Sequence, residues 1–239
     1  MAVFCSKQVV VPSTGKQLGD YTVGESVFLN VDRTAREFLV VNQGIPSASS
    51  LYDNSCDGTW LLMKDLYESR QWHSSNSNSY KASTIHSYLN STFLGLLDAD
   101  IQAVVKEVKI PYVNGTGGSA VASGANGLSA KIFLLSGYEV GFTTSVNSCF
   151  PVDGAKLEYF VSGNDSTAQA KRIANLNGAA DYWWLRSPNT LYTNNTCGVS
   201  NKGSWDNLWC ANSYGIRPAL VLPYNTKFDP DTNTFKGAS

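Results

Sequence analysis

Two arginines lying inside apolar runs carry the clearest chemical demand in this 239-residue sequence. Arg186 sits in Tyr182-Trp-Trp-Leu-Arg-Ser-Pro188, and Arg217 sits in Gly215-Ile-Arg-Pro-Ala-Leu-Val-Leu222. A guanidinium buried without partners costs several kcal/mol, so each needs a carboxylate or carbonyls beside it. Glu139 is the expected carboxylate for both, because it too lies in an apolar stretch, Leu134-Leu-Ser-Gly-Tyr-Glu-Val140. This pattern reads as structural ion pairing and not as acid–base catalysis. Other reactive groups are sparse. There are two histidines, His73 and His86, and no H-E-x-x-H, Walker, G-x-S-x-G or dinucleotide motif accompanies them. Gly115-Thr-Gly-Gly118 lacks the lysine of a phosphate-binding loop. Cys5, Cys56, Cys149, Cys197 and Cys210 are widely spaced without a C-x-x-C, so most read as isolated thiols. Cys197 and Cys210 flank one loop, which leaves a disulfide between them open. The expectation is a protein with no catalytic residue, no metal and no cofactor.

Composition narrows the partners. Hydrophobic residues make up 43% and charged residues only 15%, so Ser, Thr, Asn and Gly carry the polarity. A net charge of −1 with scattered lysines and arginines gives no electrostatic footprint for nucleic acid or an anionic membrane. No apolar run reaches the length of about 18 residues that suggests a membrane span. The first residues lack the basic and apolar regions of a signal peptide. The expected route is therefore synthesis in a cytoplasm, or assembly there into a particle.

The elements that must position these residues are of mixed type. Strands are expected at Ser26 to Val31, Glu37 to Asn42, Trp60 to Lys64, Val108 to Tyr112, Lys131 to Leu135, Asp181 to Arg186 and Ile216 to Leu222. Ser83 is placed to cap a helix through Leu94 with Ile85, Tyr88, Leu89 and Phe93 on one stripe. Asp98 is placed to cap a second helix bearing Ile101, Val104 and Val105, and Asp165 or Ser166 a third through Leu176. Ser69 to Lys81 reads as a surface loop, and Asn114 to Ser129 as a flexible loop or linker. The order of strands and helices argues an α+β class with antiparallel sheets. One domain is expected over residues 19–224, with an N-terminal arm over 1–18 and a C-terminal tail over 225–239.

Three motifs carry a resemblance. Trp184-Leu-Arg-Ser-Pro188, Phe133-Leu-Leu-Ser-Gly-Tyr-Glu-Val140 and Gly215-Ile-Arg-Pro-Ala-Leu220 are similar to those of a phage and prophage domain family of uncharacterised function. The ending also resembles variable proteins of diversity-generating retroelements. That resemblance implies a C-type-lectin-like, or formylglycine-generating-enzyme-like, fold. In such proteins a variable loop ends just before the G-x-R-P-A-L strand. Here the corresponding stretch, residues 189–213, holds Asn189, Asn194, Asn195, Asn201, Asn207 and Asn212. Trp205-Asp-Asn-Leu-Trp-Cys210 resembles the calcium segment of sugar-binding C-type lectins, but Asp and Asn are reversed and the partner motif is absent. The resemblance implies a non-enzymatic display protein that binds a receptor, another protein or a glycan on a host surface. The expected contact residues are Tyr192, Asn194, Asn195, Asn201, Trp205, Asp206, Asn207, Trp209, Asn212 and Tyr214, with exposed aromatic area and adaptable amides. Trp183 or Trp184 is assigned to the core. The rival readings are a structural virion protein that contacts only neighbouring subunits, and an enzyme of the formylglycine-generating type.

Overall fold

Ser26-Val-Phe-Leu-Asn-Val31 alternates in polarity, and it forms strand β1 with Val27, Leu29 and Val31 fully buried. The computed structural model describes residues 15–145 and 148–237. A two-residue turn, with Asp32 and Arg33 both at positive φ, returns the chain into β2, Thr34–Gln43. Paired φ > 0 residues suit the twist of a tight hairpin. β3, Thr59–Met63, is buried along its whole length, as a central strand should be.

The remaining strands are β4 (Ser69–Gln71), β5 (Ile132–Phe133), β6 (Trp183–Pro188), β7 (Asn195–Val199), β8 (Trp205–Trp209), β9 (Ser213–Gly215) and β10 (Ala219–Leu222). One five-stranded sheet has the order β5-β10-β3-β2-β1 and is antiparallel throughout. The other has the order β8-β7-β6-β9-β4. It is antiparallel except where β9 runs parallel to β6, at Trp183 opposite Gly215. Short helices and smaller two- and three-stranded sheets fill the rest, so the chain is sheet-rich with few helices. Among the described residues no helix is long and apolar enough to cross a membrane.

The core runs through both sheets. Trp60 meets Phe133 and Tyr52 edge-to-face, while Trp184 packs on Trp72 and Tyr214. Trp183 and Trp184 are both fully buried. Ser83 caps its helix by accepting from His86 N, and Asp165 caps Ser166–Arg172 by accepting from Ala168 N. The first helix spans Thr84–Tyr88 and widens into a π-helical turn over Leu89–Phe93. Asp98 precedes Ala99–Val104, but its carboxylate is not used as a cap. It accepts from Asn30 Nδ2 instead.

Four expectations need correction. Ser69 to Lys81 is not a surface loop, because β4 lies within it and Trp72, Asn78 and Tyr80 are fully buried. Asn114 to Ser129 is no linker: it pairs Val121–Ala122 with Tyr112–Val113, and Leu128–Ala130 with Val108–Ile110. The 189–213 stretch is not a single exposed loop, since it carries β7 and β8. The proposed arm and tail also join the fold where they are described. Lys16–Gln17 pairs with Lys227–Phe228, which pairs with Phe235–Gly237, and Leu18 and Phe228 are fully buried. Residues 1–14 of the expected arm lie outside the described residues.

Candidate functional site

The buried charges come first, because they fix what lies above them. Arg186 lies on β6 with its side chain fully buried against Glu139. The pair is bidentate, with Nη1 to Oε2 at 2.5 Å and Nη2 to Oε1 at 2.6 Å. Arg186 also donates to the carbonyls of Pro111, Leu134 and Asp153. Glu139 further accepts from Tyr52 Oη and Ser136 N. Both ions are thus paired and surrounded by hydrogen bonds, as burial requires. Asp153 lies beside them. Its Oδ1 accepts from Ser187 Oγ at 2.9 Å, and its Oδ2 is buried with no hydrogen-bond partner. Burial pushes the Asp153 carboxyl up to about 7, against the opposing pull of Arg186.

Arg217 does not share Glu139, contrary to the sequence expectation. It donates through Nε to Met63 O and through Nη2 to Lys64 O, and its guanidinium sits 5.0 Å from the Trp183 ring. Nη1 has no hydrogen-bond partner. Burial lowers its pKa to about 10. The carbonyls of Met63 and Lys64 and an aromatic face stand where a carboxylate was expected, and they leave Nη1 unpartnered. A third buried arginine, Arg172, went unnoticed in the sequence. It donates to the carbonyls of Gly203, Val140 and Gly163.

Above the Arg186 cluster, β6 leads through residues 189–194 into the β7–β8 hairpin. Asn78 pins that turn. Its Nδ2 lies 2.9–3.0 Å from the carbonyls of Asn189, Tyr192 and Asn195, and its Oδ1 accepts from Thr116 N. Gly115 is required beside it. At φ +81° a Cβ there would lie 2.6 Å from Asn78 Oδ1. Asn189 adds a second clamp, accepting from Leu191 N and Tyr192 N while its Nδ2 donates to Asn207 Oδ1.

The ten expected contact residues therefore divide. Tyr192 (56% exposed), Trp209 (49%), Asn201 and Asn212 face solvent. Asn194, Asn195, Trp205, Asp206, Asn207 and Tyr214 are half-buried. Trp205 packs edge-on against Phe150, and Tyr214 against Trp184. Thr196, Cys197, Gly198, Val199 and Leu208 are buried within the same stretch. The expectation of a mostly exposed segment is corrected accordingly: an anchored hairpin presents some of its side chains and buries the rest. Cys197 and Cys210 are free thiols, so the disulfide left open by the sequence is not formed. Burial pushes both thiols up, Cys210 to about 12.

Sequence reasoning missed two exposed apolar residues near this surface. Leu191 (67% exposed) precedes Tyr192 directly, and Val152 (50%) lies beside Phe150 and Asp153. Thr190 N donates to Cys149 O, which ties residues 149–152 to residues 189–192. Nothing local in the sequence signals that contact, because it joins segments about forty residues apart. Among the described residues, no group of three or more His, Cys, Asp or Glu side chains is placed to hold a metal ion. His86 is half-buried, with its pKa lowered by burial, and Asn90 lies against its ring.

The fold and the site together define a sheet-rich α+β protein with an anchored hairpin over a buried ion-pair cluster. The family model for a domain of unknown function (DUF6273) matches residues 57–224, and the chain belongs to that family. No curated protein and no solved structure matches it.

Proposed function

We propose that this chain is a non-enzymatic binding module of C-type-lectin-like fold, displayed on a phage particle or a bacterial surface. It recognises a receptor or another protein or glycan ligand through the turn and hairpin of residues 189–214. One observation carries the reading: exposed Leu191, Tyr192 and Trp209 stand on a backbone already fixed by Asn78, Asn189 and the sheet. Exposed aromatic area on a positioned backbone binds with a small ordering cost. Around them Thr193, Asn201, Lys202, Asn212 and Ser213 are also exposed, and the two amides suit adaptable hydrogen bonding. Their replacement leaves the core untouched, as diversification of the kind seen in retroelement variable proteins requires.

The test replaces positions outside the strands: Leu191→Ser, Tyr192→Ser, Asn201→Ala and Asn212→Ala together. Labelled protein is incubated with a panel of intact bacterial cells. The wild type should bind a subset of them, and the quadruple variant should lose that binding. Its melting temperature should stay within about a few degrees of the wild type. Unfolding of the variant would assign these residues to the core. Unchanged binding would place recognition elsewhere on the molecule.

A further inference from the structure

Strand β8 is the last strand of its sheet, so no strand lies along its outer side among the described residues. The ladder decides which residues face that side. Cys210 N donates to Asn194 O at 2.9 Å, and Ser200 N donates to Ser204 O at 2.8 Å. The register between those bonds pairs Asn195 with Trp209, Cys197 with Asn207, and Val199 with Trp205. Antiparallel pairs alternate between bonded and non-bonded, so Asp206 and Leu208 bond inward to β7. Trp205, Asn207 and Trp209 then turn their N–H and C=O groups outward. Two of those groups are satisfied locally: Asn207 N donates to Asp206 Oδ1, and Trp209 O accepts from Asn212 N. The others stand at an edge, and unpaired edge groups are a template for another strand.

The sequence of the strand indicates which strand fits. Trp205-Asp-Asn-Leu-Trp209 places a tryptophan two residues to either side of Asn207. Laid antiparallel on a second copy about Asn207, each Trp205 falls opposite the other copy's Trp209. Aromatic cross-strand pairs of this kind are stabilising. Asp206 falls opposite Leu208, so no like charges meet. A net charge of −1 leaves little repulsion between copies. We propose that two copies of this chain pair antiparallel along β8, about a two-fold axis at Asn207, to join their sheets into one. Such an interface is self-complementary and closes as a dimer. Asp206 acts as its gate, since its carboxylate must release the Asn207 N–H before the central bonds form. The inference stands on the strand edge and not on the ligand-binding reading, although it takes Trp209 from the ligand surface for the interface between copies. It leaves Leu191, Tyr192, Asn201 and Asn212, outside the strand, available to a ligand on each copy.

Sedimentation velocity of the full chain, in a series up to about 100 μM, tests this. The wild type should show a reversible monomer–dimer equilibrium. Trp209→Lys places a charge on the edge and should weaken the dimer about tenfold or more, while the circular dichroism spectrum stays unchanged. Asn207→Pro removes an outward N–H without breaking a β7–β8 ladder bond, although it also removes the acceptor of Asn189 Nδ2, and it should do the same. Asp206→Ala should tighten association. A wild type that stays monomeric throughout overturns the proposal, and so does a dimer that folded Trp209→Lys leaves unchanged. If Asn207→Pro does not fold, Trp209→Lys decides alone. Binding to cells by the 191/192/201/212 variant reports on the ligand surface and not on this edge, so the two ideas fail separately.

Discussion

Asp153 and Glu139 sit against the same arginine, yet they are partnered in different ways. Glu139 receives both forks of the Arg186 guanidinium, whereas Asp153 gives Arg186 only its backbone carbonyl. Its carboxylate is left with one serine hydroxyl and one empty acceptor. An unfolded aspartate titrates near 3.8 and this buried one near 7, so the folded protein holds the proton more tightly. The stability that this group contributes is full below about pH 4 and falls as pH rises. It is lost above about pH 7, a swing on the order of 4 kcal/mol. Urea denaturation from pH 4 to 8 should show that decline in the wild type. In Asp153→Asn the decline should flatten. An equal slope in both proteins would rule out Asp153 as its source. Glu139→Ala should behave otherwise, costing about 3–5 kcal/mol at neutral pH because it leaves a buried guanidinium short of its counter-charge. Chemical denaturation measures this directly, and a loss under about 1 kcal/mol would mean that the carbonyls around Arg186 suffice. The sequence made the demand of Arg186 and Arg217 legible, since both lie in apolar runs. It did not say how each demand is met. Arg217 reaches the carbonyls of Met63 and Lys64, which come beside it only once β3 and β10 pair.

At the scale of elements, alternation was readable wherever the residues were strong strand formers. β1 follows from Val27, Leu29 and Val31 at alternate positions, and β2 from the apolar run Phe38-Leu-Val-Val41. β7 and β8 were hidden by composition. Asn-Thr-Cys-Gly-Val and Trp-Asp-Asn-Leu-Trp read as polar loop, because Asn, Asp and Gly are depleted in strands. Their pairing is imposed from outside, by β6 on one side and the Asn78 clamp at the turn. Asn78 itself was lost in a Ser/Asn run that looked like surface. The fully buried Trp72 and Tyr80 flanking it were the available signal. Asn78→Ala leaves the carbonyls of Asn189, Tyr192 and Asn195 without this donor. It should cost about 1–3 kcal/mol. The loss should concentrate in the hairpin, so hydrogen exchange should quicken at Thr196–Val199 more than in β1–β3. Uniform quickening would argue that the clamp supports the whole domain and not this element.

At the scale of the molecule, the span matched by the family model leaves out strands with which its central strand pairs. Residues 57–224 contain β3 to β10 but neither β1 nor β2. β3 is a central strand whose partner along one side is β2. Without it, one edge of Trp60-Leu-Leu-Met63 loses its ladder bonds, and fully buried side chains around it lose cover. The chain ends add to the same wall. Tyr21 Oη donates to Asn233 Oδ1, Phe28 N donates to Asn233 O, and Phe228 packs between Tyr21 and Phe235. Apolar burial scales with area, and two of five strands is more than a marginal domain can lose. A fragment of residues 57–224 should therefore lack a cooperative melting transition and bind a hydrophobic dye, whereas residues 15–237 should melt in one step. A single point change probes the wall more gently: Phe228→Ala in the full chain should cost about 3–5 kcal/mol, although Phe228 lies outside the matched span. A cooperative transition in the 57–224 fragment would mean that the first hairpin and the closing strands are additions to a self-sufficient domain. The shared core would then lie around β6 and the Glu139–Arg186 pair, and not across both sheets.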